Sequence, residues 1–135
     1  MVIDTNLFDK LTAQAKASPR LRHALDLRNS PEDNTQRMLN ALEPGTVLHI
    51  HRHPASSTTV IVLRGCIKQN IYDDAGALIQ SEILKPTDKQ LAIFEIPQNA
   101  WHNLECLESG TVIFEGKDGK YDPETDAEFL NRNNI

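Results

Sequence analysis

The sequence predicts a predominantly β protein, a sandwich or barrel of short strands behind one N-terminal helix. Three observations carry this. Between Gly45 and Glu115, short β-branched or apolar runs recur at nearly regular spacing with glycine, proline and aspartate between them, a pattern of sandwiches and barrels. Within the first run His49, His51 and His53 alternate with Leu48, Ile50 and Arg52. In a strand, successive side chains point to opposite faces, so the three imidazoles share one side. Ahead of the β region, Leu7, Leu11 and Ala15 recur at the spacing of one helix face.

Taken in order, the first segment is a helix that Thr5 or Asn6 can cap, ended by Ser18-Pro19 because a residue before proline is pushed out of the α region. Residues 20–28 are basic and weakly periodic, with His23 among them, and take no assignment. Ser30-Pro-Glu-Asp33 has the chemistry of a helix start, and residues 36–42 read equally as helix or strand. Strands then follow over residues 47–53, 58–63, 66–72, 77–84, 90–96 and 111–115, with Asp73-Asp-Ala-Gly76 as a turn. Residues 122–130, with Pro123 near their start, resemble a short capped helix.

At 135 residues the chain is long enough for one core. A hydrophobic content of 39% and a charged content of 24% fit a globular protein, and no apolar run approaches a membrane span. A net charge of −5, with the basic residues scattered, argues against nucleic acid as partner. The N-terminus lacks an apolar targeting segment, so the expected location is the cytoplasm. Cys66 and Cys106 form no CxxC pair and read as small buried hydrophobes. The acidic stretch 118–126 fails the calcium-loop pattern because Pro123 stands where glycine is needed.

From Gly45 the spacing runs G-x5-H-x-H to His51 and His53, then on to Thr58 and Gly65; later comes Pro97-Gln-Asn-Ala-Trp-His102. These stretches resemble the two cupin motifs, G-x5-H-x-H-x(3,4)-E-x6-G and P-x-G-x-x-H-x3-N. More of the chain, including Ser18-Pro-Arg20, Leu42-Glu-Pro-Gly45, Leu63-Arg-Gly65 and Phe114-Glu-Gly-Lys-Asp-Gly-Lys-Tyr-Asp-Pro123, is similar to the WbuC-type cupin-fold metalloproteins. The resemblance implies a single cupin jelly roll over residues 1–135. Residues 1–30 would be a helical N-terminal extension, 36–117 the barrel and 118–135 a C-terminal extension. It makes residues 36–42 a strand, implies a homodimer, and suggests a link to surface-polysaccharide sugar metabolism.

Carried over residue by residue, the resemblance assigns His51, His53 and His102 as ligands of a divalent transition metal. Three imidazoles suit Zn, Fe, Ni or Cu rather than Mg or Ca. Thr58 stands where cupins usually carry a ligating glutamate, Asn99 replaces a glycine, and Cys106 replaces an asparagine. His49, roughly 7 Å further along the strand from His51, is expected in the pocket or behind the ligands, as is Thr58. Arg64 shares Thr58's parity and is the arginine expected to meet an anionic small-molecule ligand; Arg52, of opposite parity to the histidines, is expected outside. Glu115 is expected to be a solvated strand residue rather than a general acid or base. The functional expectation is a metal-dependent enzyme on a small polar or sugar-related substrate. The alternative is a non-enzymatic module that binds or senses a small ligand, with a structural or vestigial metal.

Overall fold

A computed structural model describes residues 1–130. Helix α1 (Thr5–Ala17) precedes ten strands: β1 (Arg22–Asp26), β2 (Thr35–Leu42), β3 (His51–Arg52), β4 (Thr58–Arg64), β5 (Ile67–Tyr72), β6 (Leu78–Leu84), β7 (Ile93–Ile96), β8 (Trp101–Cys106), β9 (Thr111–Asp118) and β10 (Glu128–Phe129). They form two five-stranded antiparallel sheets in the orders β1-β2-β9-β4-β7 and β10-β3-β8-β5-β6. This is the jelly roll that the motifs imply.

Two apolar layers hold the fold together. Between the sheets, Leu42, Val60, Val62, Ile67, Ile71, Ile96 and Ile113 form the main core. On the outer face of the first sheet, Leu39, Ala41 and Val112 pack under Leu11 and Ala15 of α1. The helix starts at Asp4 rather than at Thr5 or Asn6: the Asp4 carboxylate accepts the Leu7 N–H at 3.0 Å, satisfying one of the orphan donors of the first turn.

Two close approaches need special backbone. Gly65 has φ +90°, and a Cβ there would lie 2.2 Å from Thr111 Oγ1; only glycine fits. Asn99 stands at φ +67°, the left-handed conformation its motif position demands, and its N–H donates to the His53 carbonyl at 3.0 Å. That bond ties the end of β3 to the loop entering β8.

The structure corrects several sequence expectations. Residues 22–26, within the supposed helical extension, form edge strand β1 on β2. The first histidine run is a strand only over His51–Arg52. Residues 101–106, read only as a motif, are strand β8. Ser30-Pro31 opens a turn, in which the Asp33 N–H donates to the Ser30 carbonyl at 3.1 Å, and no helix follows. Residues 122–126 form turns, and β10 follows where a helix was expected. The cap chemistry is present there, but a single turn with no apolar stripe to bury does not propagate. The sequence expectations for 118–135 continue past residue 130, outside the described residues.

Candidate metal centre

β3 and β8 are neighbours, and His51 lies directly opposite His102 in their register. His53 is two residues further along, on the same side. The ring centroids are 4.3 Å apart for His51–His102, 5.0 Å for His51–His53 and 5.4 Å for His53–His102. One nitrogen from each of the three lies within 4.8 Å of the others, a spread one ion can span at nitrogen bonds of about 2.0–2.1 Å.

Main-chain carbonyls decide which nitrogen faces inward. His51 Nδ1 is 2.9 Å from the His49 carbonyl, His53 Nδ1 is 2.8 Å from the Asp126 carbonyl, and His102 Nδ1 is 2.9 Å from the Ala100 carbonyl. A carbonyl only accepts, so each Nδ1 carries the proton and each Nε2 keeps its lone pair. At His53 the Lys117 ammonium also approaches Nδ1, at 3.3 Å, but it has a better partner in the Asp126 carboxylate at 3.1 Å.

Electrostatics keeps the rings neutral. Burial lowers the His51 pKa to about 4, with the neighbouring His53 and Lys117 adding to the effect. Burial, then His51, lowers that of His102 to about 3. Both imidazoles are therefore neutral at pH 7, each with a single N–H, as histidine metal ligands must be. Behind His53, burial alone would raise the Asp126 carboxyl. Hydrogen bonds from His53 and Gln36 and the charge of Lys117 instead hold it well below the usual carboxylate range.

The donor set fits a divalent transition metal, and the surrounding cavity fits a ligand for it. A cavity of about 180 Å³ is lined by His51, His102, Gln69, Glu115, Val60 and Leu104, among others. Gln69 is fully buried; its amide nitrogen donates to the Asn103 carbonyl at 3.0 Å, while its Oε1 has no partner among the described residues. Glu115 accepts from Asn40 Nδ2 at 2.9 Å. Thr58 is buried, at 3% exposure, and its hydroxyl also lacks a partner. It alternates with Val60 and Val62 of the main core, so it faces the interior, although it does not line this cavity.

His49 is exposed and contributes its backbone, not its imidazole, by orienting His51. Arg64 is not a pocket residue. A β-bulge between Val62 and Arg64 breaks the parity on which that expectation rested and sets Arg64 opposite Val112, on the helix side. There its guanidinium donates to the Gly110 carbonyl, to Asp9 and to Thr12, anchoring α1. Arg52 is outside as expected, stacked 4.2 Å from the Trp101 ring. Glu115, expected in solvent, faces inward. Its parity with buried Ile113 is the signal that identifies it, and Lys117 follows by the same rule. For Asp126 no local motif exists.

Comparison with known proteins bears out the fold. The chain superposes on the capsular polysaccharide assembling protein CapF from Staphylococcus aureus with a TM-score of 0.66 at 21% identity, covering 84% of this chain and 32% of that one. For a mutant of Bacillus subtilis oxalate decarboxylase OxdC the values are 0.61, 19%, 81% and 28%. For oxalate oxidase in complex with the substrate analogue glycolate they are 0.61, 14%, 84% and 57%. The chain thus spans well under two thirds of each of these proteins, and the likeness is one of fold. No curated protein matches the chain. Among the described residues, no helix is long and apolar enough to cross a membrane. A family described as a domain of unknown function (DUF6016) matches residues 3–84, more than half of the chain, and the protein, a cupin-fold jelly roll with a cluster of three histidines that can hold a metal, belongs to that family.

Proposed function

We propose that this protein is a metal-dependent cupin of the WbuC type that binds a small polar, sugar-related molecule at its histidine centre and acts on it. The observation that carries this reading is the set of three carbonyl-held Nδ1 atoms, which leaves three neutral imidazoles with their Nε2 lone pairs free. With His51, His53 and His102 as ligands and no carboxylate among them, a bound Zn, Fe, Ni or Cu ion keeps about its full +2 charge and supplies Lewis acidity toward an oxygen ligand.

The chain's own groups complete the reading. Gln69 Oε1 accepts a hydroxyl or amine proton of the ligand, because a buried oxygen without a partner is costly until one arrives. Glu115 is the carboxylate of the cavity lining and stands where a proton can be taken or given. The sugar-related substrate is supported by the resemblance to WbuC-type proteins and by the shared fold with a capsular polysaccharide assembling protein. The same resemblance supports a homodimer. A second reading, a ligand-binding or sensing module without turnover, is favoured by one feature: Glu115 is already held by Asn40.

Elemental analysis of protein purified without chelators tests the metal. The expected result is close to one transition-metal ion per chain, lost in His51→Ala and in His102→Ala and kept in Arg64→Ala. Stoichiometric metal in both histidine variants overturns the assignment.

A further inference from the structure

Six arginines lie within the described residues: Arg20, Arg22, Arg28, Arg37, Arg52 and Arg64. Four of them pair with a carboxylate, Arg28 with Asp26, Arg37 with Asp33, Arg52 with Glu128 and Arg64 with Asp9. Arg20 and Arg22 do not, although the chain carries a net charge of −5. Both line one cavity of about 430 Å³, together with His23, Ser18 and Asn40, and no acidic side chain among the described residues borders it. That volume lies in the range of small-molecule pockets and exceeds the cavity beside the histidines.

The backbone here is held in an unusual shape. Leu21, between the two arginines, has φ +55°, which leucine rarely adopts. The conformation is clamped from both sides. The Arg20 N–H donates to Ser18 Oγ at 3.2 Å and its carbonyl accepts from Thr46 Oγ1 at 2.8 Å. The Leu21 N–H donates to the Ser18 carbonyl and its own carbonyl accepts from the Glu43 N–H, both at 3.0 Å. The turn sets two guanidiniums on one pocket before any ligand arrives. Only Arg22 Nη1 is engaged, by the Val47 carbonyl at 2.8 Å and more weakly by Thr46 Oγ1 at 3.5 Å, both neutral acceptors. Burial and the neighbouring Arg20 lower the Arg22 pKa, as expected of like charges without an anion between them.

We propose that Arg20, Arg22 and His23 form a receptor for the phosphate group of a small phosphorylated molecule. Two guanidinium forks present more donors than a carboxylate's two oxygens use, whereas a phosphate's three oxygens and double charge match them. The acidity of the whole chain disfavours a polyanion such as nucleic acid. The Asn40–Glu115 hydrogen bond links the pocket to the metal side, since Asn40 borders the first cavity and Glu115 the second. The phosphate receptor does not depend on a metal.

Calorimetric titration at pH 7.5 and low salt, with inorganic phosphate and with glycerol 2-phosphate as probes, tests this. Saturable binding of both is expected, unchanged in chelator-treated protein and weakened roughly tenfold by Arg20→Gln and by Arg22→Gln. Arg37→Gln, whose guanidinium is already paired, serves as the control and is expected to bind like the parent. Should loss of the Val47 contact unfold Arg22→Gln, Arg20→Gln decides alone, because the Arg20 side chain makes no hydrogen bond or ion pair among the described residues. The proposal is overturned by absence of saturable binding, by parental affinity in the folded arginine variants, or by an equal loss in Arg37→Gln. Binding of inorganic phosphate but not of the ester overturns it too. Binding abolished by chelation places the anion on the metal instead, while metal content from elemental analysis reports separately on the histidine centre.

Discussion

Beneath α1, the clustered side chains of Leu11, Ala15, Leu39, Ala41 and Val112 are all apolar, whereas between the sheets Val60, Ile67, Ile96 and Ile113 share the interior with Gln69, Thr58 and His102. Both layers bury their residues equally well, so burial does not separate them. Partnering does. Among the described residues, the layer under the helix leaves no polar side-chain atom stranded, while the inter-sheet core holds Gln69 Oε1 and Thr58 Oγ1 without partners. Each such atom costs about 1–3 kcal/mol, and packing alone gives no return for it. Natural cores depart from satisfied polar groups chiefly at functional sites. Of the three such atoms among the described residues, Gln69 Oε1 and Thr58 Oγ1 fall in the layer that carries the histidines, and the third, Arg52 Nε, belongs to the residue between His51 and His53.

That contrast can be broken in three ways. The largest effect is expected from Leu39→Ala under the helix, where a 1%-exposed side chain leaves a cavity; a loss of about 2–5 kcal/mol in urea unfolding is expected, with metal content per folded chain unchanged. A loss of metal as well would show that the two layers are coupled.

The next effect belongs to the histidine side and appears with pH. The folded pKa values of His51 and His102, about 4 and about 3, lie below the ordinary 6.5. Between those limits the unfolded chain binds protons that the folded one refuses, so stability falls as pH drops through 6.5. Metal-free protein should lose roughly 2 kcal/mol per histidine between pH 7 and pH 5. A flat denaturation profile across that window would contradict the burial of the two rings. Asp126 acts lower on the scale: its stabilising contribution is present above the ordinary carboxylate pKa and is lost as pH falls below it.

The smallest effect has the opposite sign. Thr58→Val removes an unpartnered hydroxyl from the interior, and the metal-free protein should gain about 1 kcal/mol. A loss of stability would mean that the hydroxyl is satisfied in solution.

Much of the centre was legible in the sequence because strand parity and motif spacing are local. His51 and His53 share a face by alternation, and His102 joins them through a second motif. The positive φ of Asn99 was readable from the residue standing in a glycine position. What failed was non-local or broke the period. The bulge after Val62 turned Arg64 outward, and a bulge leaves no mark in the alternation preceding it. Strand β1 was unreadable because an edge strand with Ala24 and Leu25 between charged residues has little apolar pattern to show. Strand β8 carries His102, Asn103 and Glu105 among its six residues, and that polarity hid it. Asp126 was out of reach for another reason: it meets His53 from 73 positions away.

That separation sets a clock on assembly. At synthesis rates of about 5–20 residues per second, the Asp126 carbonyl emerges roughly 4–15 s after the ring it orients. Until then His53 is free to carry its proton on either nitrogen and β3 lacks its closing strand β10, while the third histidine, His102, has emerged some way earlier. Before His102 emerges, a nascent chain would offer a passing metal ion only a loose two-imidazole clamp, and until Asp126 follows it would offer three imidazoles with one of them unoriented. The complete, oriented set of three imidazoles exists only in a nearly finished polypeptide, so any ion the cluster takes would be chosen from the metals met by the released protein rather than from those near the ribosome.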